Sequence, residues 1–343
     1  MRAWASILAG TALALVLPAA AQAAGELHLY NWTDYTAPEL IAKFEKETGI
    51  KVSIDTYDSN ETALAKLTSG ASGYDLIVVS NDFVPIFVSQ GLFEPVDAAA
   101  MPNFRNLDPE WQKRSWDPDA KYSVPWVWGT TSYSVDTAVY TGPHDSLKTL
   151  FEPPPELQGK IGMFGSPSEV MSLALVYLGK SQCNTDPTDL KALDALLEAQ
   201  KPFVKVYNSD GTVERQVSGE TAMHQQWSGK AEATRQQKST VTYVYPKEGV
   251  VGWMDNVAVP KGAPNLENAK AFLNFLMDPQ NIALQSAFSG YQTAVIGSNA
   301  LLPAALGSSP EFNPPKDLKI TFAPSCPEKA TRAYDRIWTR LRQ

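Results

Sequence analysis

Leu27-His28-Leu29-Tyr30, then Pro38 to Thr48 with Ile41 and Phe44, then Gly49 and Lys51 to Tyr57, form the stretch that decides the fold. The first run reads as a strand. The second reads as an amphipathic helix with Ile41 and Phe44 inward and Gly49 as its stop, and the third reads as another strand. A helix over 60–69 follows, then the apolar strand Tyr74-Asp75-Leu76-Ile77-Val78-Val79, then a helix from Phe83 closed by Gly91. This β-α-β-α-β-α order predicts a mostly parallel sheet covered by helices on both faces. Ligands of such sheets sit outside the carboxyl ends of the strands. Attention therefore falls on Asn31-Trp32-Thr33-Asp34-Tyr35 and on Ser80-Asn81-Asp82.

Further along, the reading places a break at Trp126 to Ser134, then a proline-rich loop around Pro153-Pro154-Pro155. A second α/β pattern begins with a strand over Lys160 to Phe164. Ser166-Pro167-Ser168-Glu169 opens a helix to Leu178, and a helix over Asp189 to Gln200 and a strand over Phe203 to Tyr207 follow. Thr221 to Trp227, a helical stretch over Ser228 to Gln237, and Val241 to Tyr245 continue it. Val251 to Val259 is a strand long enough to return from one lobe to the other, and helices over Leu266 to Met277 and Pro279 to Phe288 come after it. Two lobes of α/β construction, crossed more than once by the chain, describe a hinged clamp.

The chain has 343 residues, 44% of them hydrophobic, with 25 Pro and 21 Gly in no periodic arrangement, which excludes a disordered, collagenous or coiled-coil chain. Lys plus Arg number 29 against 37 Asp plus Glu, without a basic run, so nucleic acid is not an expected partner. Residues 1–24 read as a secretory signal peptide: Arg2, an apolar stretch from Ile7 to Leu17, then Ala19-Ala20-Ala21-Gln22-Ala23-Ala24. No cysteine near that end marks a lipid anchor, so a free exported protein is expected. Cys183 and Cys326 are an even count compatible with one disulfide, and sequence alone leaves open whether they meet. With only His28, His144 and His224 there is no metal-ligand motif, and no metal or cofactor is expected. Gly70-Ala71-Ser72-Gly73 lacks the spacing of a nucleophile elbow, and no phosphate-cradling glycine motif is present. The reading is therefore a binding protein, not an enzyme. A periplasmic hydrolase is a remote alternative that needs a nucleophile paired with a base.

Leu27 to Tyr35, Phe44-Glu45-Lys46-Glu47-Thr48-Gly49-Ile50-Lys51-Val52, Tyr74 to Ser80 and Val176-Tyr177-Leu178-Gly179-Lys180 resemble the periplasmic polyamine-binding proteins, the putrescine and spermidine receptors of ABC uptake systems. The resemblance spans most of residues 26–300. It implies an α/β, two-lobed periplasmic binding protein fold of type II, each lobe a mixed, mostly parallel sheet flanked by helices. Lobe 1 is expected over 25–129 and 252–298, and lobe 2 over 130–251 and 299–343. A membrane permease is the implied partner, the periplasm the implied compartment, and a monomer is expected. By position, the resemblance assigns ligand contacts to Trp32, Thr33, Asp34, Tyr35, Ser80, Glu169, Trp227, Trp253, Asp255 and Tyr291. The set makes chemical sense, because a desolvated alkylammonium needs carboxylates while its methylenes gain from aromatic faces.

Several of these residues have a second reading. Ser166 to Glu169 has the form of a capping box, Asp34 and Asp82 stand where caps of the following helices would, and the tryptophans suit a core. One departure stands out: Gln225-Gln226-Trp227-Ser228-Gly229-Lys230 aligns with the family motif, yet Lys230 occupies a position usually held by an aspartate. Three roles are open to it: pairing with Glu169, receiving the carboxylate of a zwitterionic ligand such as an ω-amino acid, or pointing out of the cleft. Asp82 is then the candidate compensating carboxylate.

Overall fold

In the computed structural model, which describes residues 25–71 and 73–343, the amino-terminal alternation folds almost residue for residue as read. It forms β1 (Glu26–Trp32), α1 (Pro38–Thr48), β2 (Lys51–Tyr57), α2 (Asn60–Thr68), β3 (Leu76–Ser80) and α3 (Val84–Ser89). The leader reading of residues 1–24 lies outside the described residues. In α1 the buried pair is Leu40 and Phe44, one turn apart, and Ile41 is half-buried at the margin of that face. Gly49 ends the helix at φ 75°, a left-handed conformation that lets its N–H return to the Glu45 carbonyl. β1 pairs in parallel with both β2 and β3.

The expected break at Trp126–Ser134 is corrected by the structure. After α4 (Pro109–Gln112), residues Ser123–Asp136 form one 14-residue strand, β4, buried along nearly its whole length. Pro125, Gly129 and the polar run Thr130-Thr131-Ser132 hide it from a periodicity argument. The proline is accommodated at a register irregularity between Pro125 and Trp128, where a missing ladder donor is tolerated.

The chain then gives α5 (Lys148–Phe151), β5 (Ile161–Met163), α6 (Pro167–Tyr177), α7 (Pro187–Gln200), β6 (Val204–Tyr207), α8 (Thr212–Ser218), β7 (Met223–Trp227), α9 (Ser228–Gln237) and β8 (Val241–Val244). It returns through β9 (Val250–Ala258) to α10 (Leu266–Leu276), α11 (Pro279–Ser289) and α12 (Ala304–Gly307), and ends with β10 (Ile320–Phe322) and α13 (Glu328–Leu341).

The strand order is β2-β1-β3-β9-β4-β7-β5-β6, with β10 on β9 and β8 on β4. The outer triplets β2-β1-β3 and β6-β5-β7 are parallel, and the strands joining them, β9 and β4, run antiparallel to each other and to β3 and β7. Each triplet has its own core. Leu29, Phe44, Trp126 and Phe272 pack on one face of the first, with Tyr30, Ile77 and Phe87 on the other. Tyr133, Phe164, Leu173 and Tyr334 pack around the second.

The carboxyl-terminal segment makes a third connection between the lobes. β10 lies parallel to β9 at Val250–Gly252, Phe322 packs on Trp111 and Trp116, and Asn81 Nδ2 donates to the Ala323 carbonyl at 2.9 Å. Three residues further on, Cys326 is joined to Cys183, settling the open cysteine question as an intramolecular disulfide across 143 residues. Replacing both cysteines by serine is expected to remove roughly 2–4 kcal/mol of stability, the usual worth of a bridge closing a long loop. Urea unfolding checks it.

Candidate functional site

The two parallel triplets direct the carboxyl ends of their strands toward the β4–β9 pair, and a cavity of about 90 Å³ opens between them. Its wall is built from strand ends and the first turns that follow. Trp32 ends β1 and Thr33 to Tyr35 follow it, Ser80 ends β3, Glu169 lies in the first turn of α6, Trp227 ends β7, and Lys230 lies in the first turn of α9. Trp253 and Asp255 lie on β9, and Tyr291 follows α11. Every predicted contact therefore reaches the same cavity except Asp82, which is half-buried and does not line it.

Two carboxylates are held without a cation. Asp255 accepts hydrogen bonds from the Tyr35 hydroxyl at 2.7 Å and the Ser80 hydroxyl at 2.9 Å. Burial nevertheless pushes its carboxyl up to about 6 against those bonds. Glu169 accepts from the Trp227 indole N–H at 2.9 Å and the Thr131 hydroxyl at 3.0 Å, and burial pushes it up to about 7, with the nearby charges of Asp255 and Glu61 acting in the same direction. Hydrogen bonds orient these oxygens without neutralising them.

The capping readings do not hold. Ser166 precedes α6 but its side chain caps no backbone N–H, bonding instead to the Ser168 hydroxyl at 3.0 Å, and the Glu169 carboxylate is turned to Thr131 and Trp227. The residue preceding α1 is Ala37, not Asp34, and α3 is preceded by Phe83, not Asp82. Burial and the charge of Glu61 push the Asp82 carboxyl well above its ordinary range.

Aromatic rings flank the carboxylates. Trp253 meets Tyr291 edge-on at 4.8 Å, Trp227 stacks on Phe164 at 4.1 Å, and Trp32 leans on Tyr57 at 4.7 Å. Tyr291 reaches the cavity because residue 229 has no side chain: a Cβ there would lie 2.3 Å from the Ser289 carbonyl and 2.7 Å from the Tyr291 ring. The glycine of the Trp-Ser-Gly-Lys run is thus a packing requirement.

Lys230 neither pairs with Glu169 nor points away. Its Nζ donates to the backbone carbonyl of Asp34 at 3.3 Å, across the cleft, where Asp34 adopts φ 51°. Sequence reasoning missed what surrounds it. Asp58, Asp210 and Glu214 also line the cavity, giving six carboxylates with Asp34, Glu169 and Asp255, and among the described lining residues Lys230 is the only cation. Asp210 is pushed up by burial and by the charges of Asp58 and Asp34, with Lys230 opposing. The available signal was Asn208-Ser209-Asp210-Gly211, a turn at the carboxyl end of the predicted strand 203–207. Tyr57 was missed for the same reason, at the end of β2.

Among the described residues no helix is long and apolar enough to cross a membrane. The family described as bacterial extracellular solute-binding protein matches residues 39–313. The chain belongs to that family. It is 35% identical to the putrescine-binding periplasmic protein SpuD of Pseudomonas aeruginosa, over 97% of each chain. It is 37% identical to the spermidine/putrescine-binding periplasmic protein of Escherichia coli, over 92% of this chain and 91% of that one. Among solved structures, the spermidine/putrescine ABC transporter substrate-binding protein PotD of Streptococcus pneumoniae superposes with a TM-score of 0.78 at 28% identity, covering 93% of this chain and 98% of that one. The TpPotD lipoprotein of Treponema pallidum gives 0.82 at 28%, covering 92% and 99%. The resemblance to polyamine receptors and the two-lobed solute-binding fold both hold.

Because Glu169 titrates higher in the folded chain than a free glutamate, its share of stability is present below about pH 4.5 and is lost as pH rises through about 7. Ligand-free Glu169→Gln is therefore expected to gain stability relative to the parent between pH 5 and pH 8. Paired urea titrations at the two pH values read the difference.

Proposed function

We propose that this protein is the periplasmic solute-binding component of an ABC uptake system, capturing a polyamine of putrescine or spermidine type between its lobes and delivering it to a membrane permease. The observation that carries the reading is the aromatic slot whose buried carboxylates, Asp255 from the returning strand and Glu169 from the second lobe, lack a protein cation. A diammonium ligand supplies the missing charges at both ends, and the indole and phenol faces accept its methylenes. The names of the relatives point to the same ligand class and to the periplasm. Residues 1–24 act in this reading as a cleaved export signal, and the monomer is the working unit.

We place the lobe boundaries at Gly129/Thr130 and Val251/Gly252, where β4 and β9 face each other in register. Closure about that pair brings Glu169, Trp227 and Lys230 onto the side holding Trp32, Asp34 and Asp255. A zwitterionic ligand finds less support, since Lys230 already donates to the Asp34 carbonyl and lies among six carboxylates.

A thermal-shift panel of putrescine, cadaverine, spermidine, agmatine and 4-aminobutyrate on refolded protein tests the reading. Ligand at about 100 times its Kd adds about 2.7 kcal/mol, so a diamine or triamine is expected to raise Tm by several degrees. A rise with 4-aminobutyrate alone overturns the ligand class. Asp255→Asn is expected to weaken polyamine binding by about 2 kcal/mol or more, read by calorimetry. Affinity is expected to fall as pH drops from 8 through about 7 and then about 6, because the ammonium groups must displace protons from Glu169 and Asp255. Calorimetry in buffers of differing ionisation enthalpy measures the released protons.

A further inference from the structure

One contact between the lobes lies outside the cavity. Glu61 sits in the first turn of α2, whose Ala63 and Leu67 are buried in the first-lobe core. Its Oε1 accepts a hydrogen bond at 3.1 Å from the hydroxyl of Ser168, in the first turn of α6 on the opposite lobe. Glu61 Oε2 is buried with no hydrogen-bond partner among the described residues, and Glu61 does not line the cavity.

The opposite helix is short of what Glu61 offers. Ser166 supplies no side-chain cap, so the leading N–H groups of α6 lack the local acceptor that ordinarily satisfies such positions. A carboxylate at this end also interacts favourably with the helix dipole. The residue after Ser168 is Glu169, so whatever fixes the first turn of α6 also fixes the ligand-facing carboxylate. The groups facing Glu61 are otherwise acidic: Asp82, Glu169 and Asp335. Burial raises the Glu61 carboxyl, and besides its own backbone N–H only Ser168 opposes that cost.

We propose that Glu61 is an interlobe latch: on closure it caps the first turn of α6 through Ser168, positions Glu169, and lengthens the life of the loaded state without touching the ligand. The proposal rests on the reading that ligand binds in the cleft between closing lobes.

Stopped-flow tryptophan fluorescence with spermidine as the probe separates the rates. Glu61→Ala is expected to raise the dissociation rate by roughly fivefold, the usual effect of losing a helix cap, with the association rate within about twofold of the parent. Ser168→Ala is expected to do the same, and the double variant no more than either single one, since both remove one contact. Glu61→Gln, which keeps the acceptor oxygen, is expected to recover most of the slow dissociation. An unchanged dissociation rate in Glu61→Ala, additive effects in the double variant, or a loss confined to association overturns the latch.

A second measurement does not depend on the ligand. Distances between spin labels at the exposed Glu47 and Lys205, one on each lobe, report the closed fraction with and without spermidine. Glu61→Ala is expected to lower that fraction in ligand-free protein, and an unchanged distribution there also overturns the proposal. If spermidine fails to bind the parent chain, putrescine replaces it as the probe; if neither binds, the proposed ligand class is wrong, and the ligand-free distances still decide the latch.

Discussion

Anions held out of water without a counter-charge are the constraint from which the rest of this structure follows. Asp255 and Glu169 receive four hydrogen bonds between them, from Tyr35, Ser80, Trp227 and Thr131, and none comes from a lysine or arginine. A desolvated carboxylate in this condition either takes up a proton or waits for a cation, which is why both titrate far above their ordinary range. The cavity is thus strained electrostatically and relieved from outside. Its rigid rings contribute shape and apolar contact. The acidic rim of Asp34, Asp58, Asp210 and Glu214 contributes the long-range attraction that brings a cation to the opening.

The two long strands do the positioning. β9 carries Asp255 and Trp253 directly, and β4 carries Thr131, which orients Glu169 from beneath. Because these strands pair with each other through Thr131↔Val251 and then diverge to different partners, the groups on either side of the cleft are referenced to one shared ladder. Lys230 fits this scheme as a reach across the gap. Its ammonium meets the carbonyl of Asp34, a backbone acceptor turned by a left-handed residue, while the carboxylates around it leave the slot acidic overall. Lys230 therefore leaves the site acidic, because the segment 208–214 supplies Asp210 and Glu214, which lie outside the motif around Trp227.

Much of the first lobe was legible because its signals are local: apolar runs of strand length, Leu40 and Phe44 one turn apart, and a glycine free to take positive φ at 49. The cavity-lining residues from Trp32 to Tyr291 were legible through the resemblance, and chemistry explained why those side chains belong together. What escaped depends on partners remote in sequence. β4 contains a proline, a glycine and five hydroxyl residues in a row, from Thr130 to Ser134, and it is a strand because β9, β7 and β8 flank it. Glu169 satisfies the spacing of a capping box, and only the indole of Trp227 and the hydroxyl of Thr131 reveal that its carboxylate is engaged elsewhere. Asp210 lies in a turn with no aromatic neighbour in sequence to mark it.

The shared ladder also decides what kind of unit this protein is. Neither triplet completes its sheet from a contiguous piece of chain: β9 pairs with β3 and β4 with β7, the two pair with each other, and Cys326, just before the final helix, is joined to Cys183 far earlier in the chain. No single cut in the gene yields a lobe that keeps its sheet, so the halves cannot be shuffled between proteins as modules. The turns at the strand ends carry no such obligation. The segment 208–214, which brings Asp210 and Glu214 to the cavity, lies outside that shared ladder, so a change of charge there leaves the frame undisturbed.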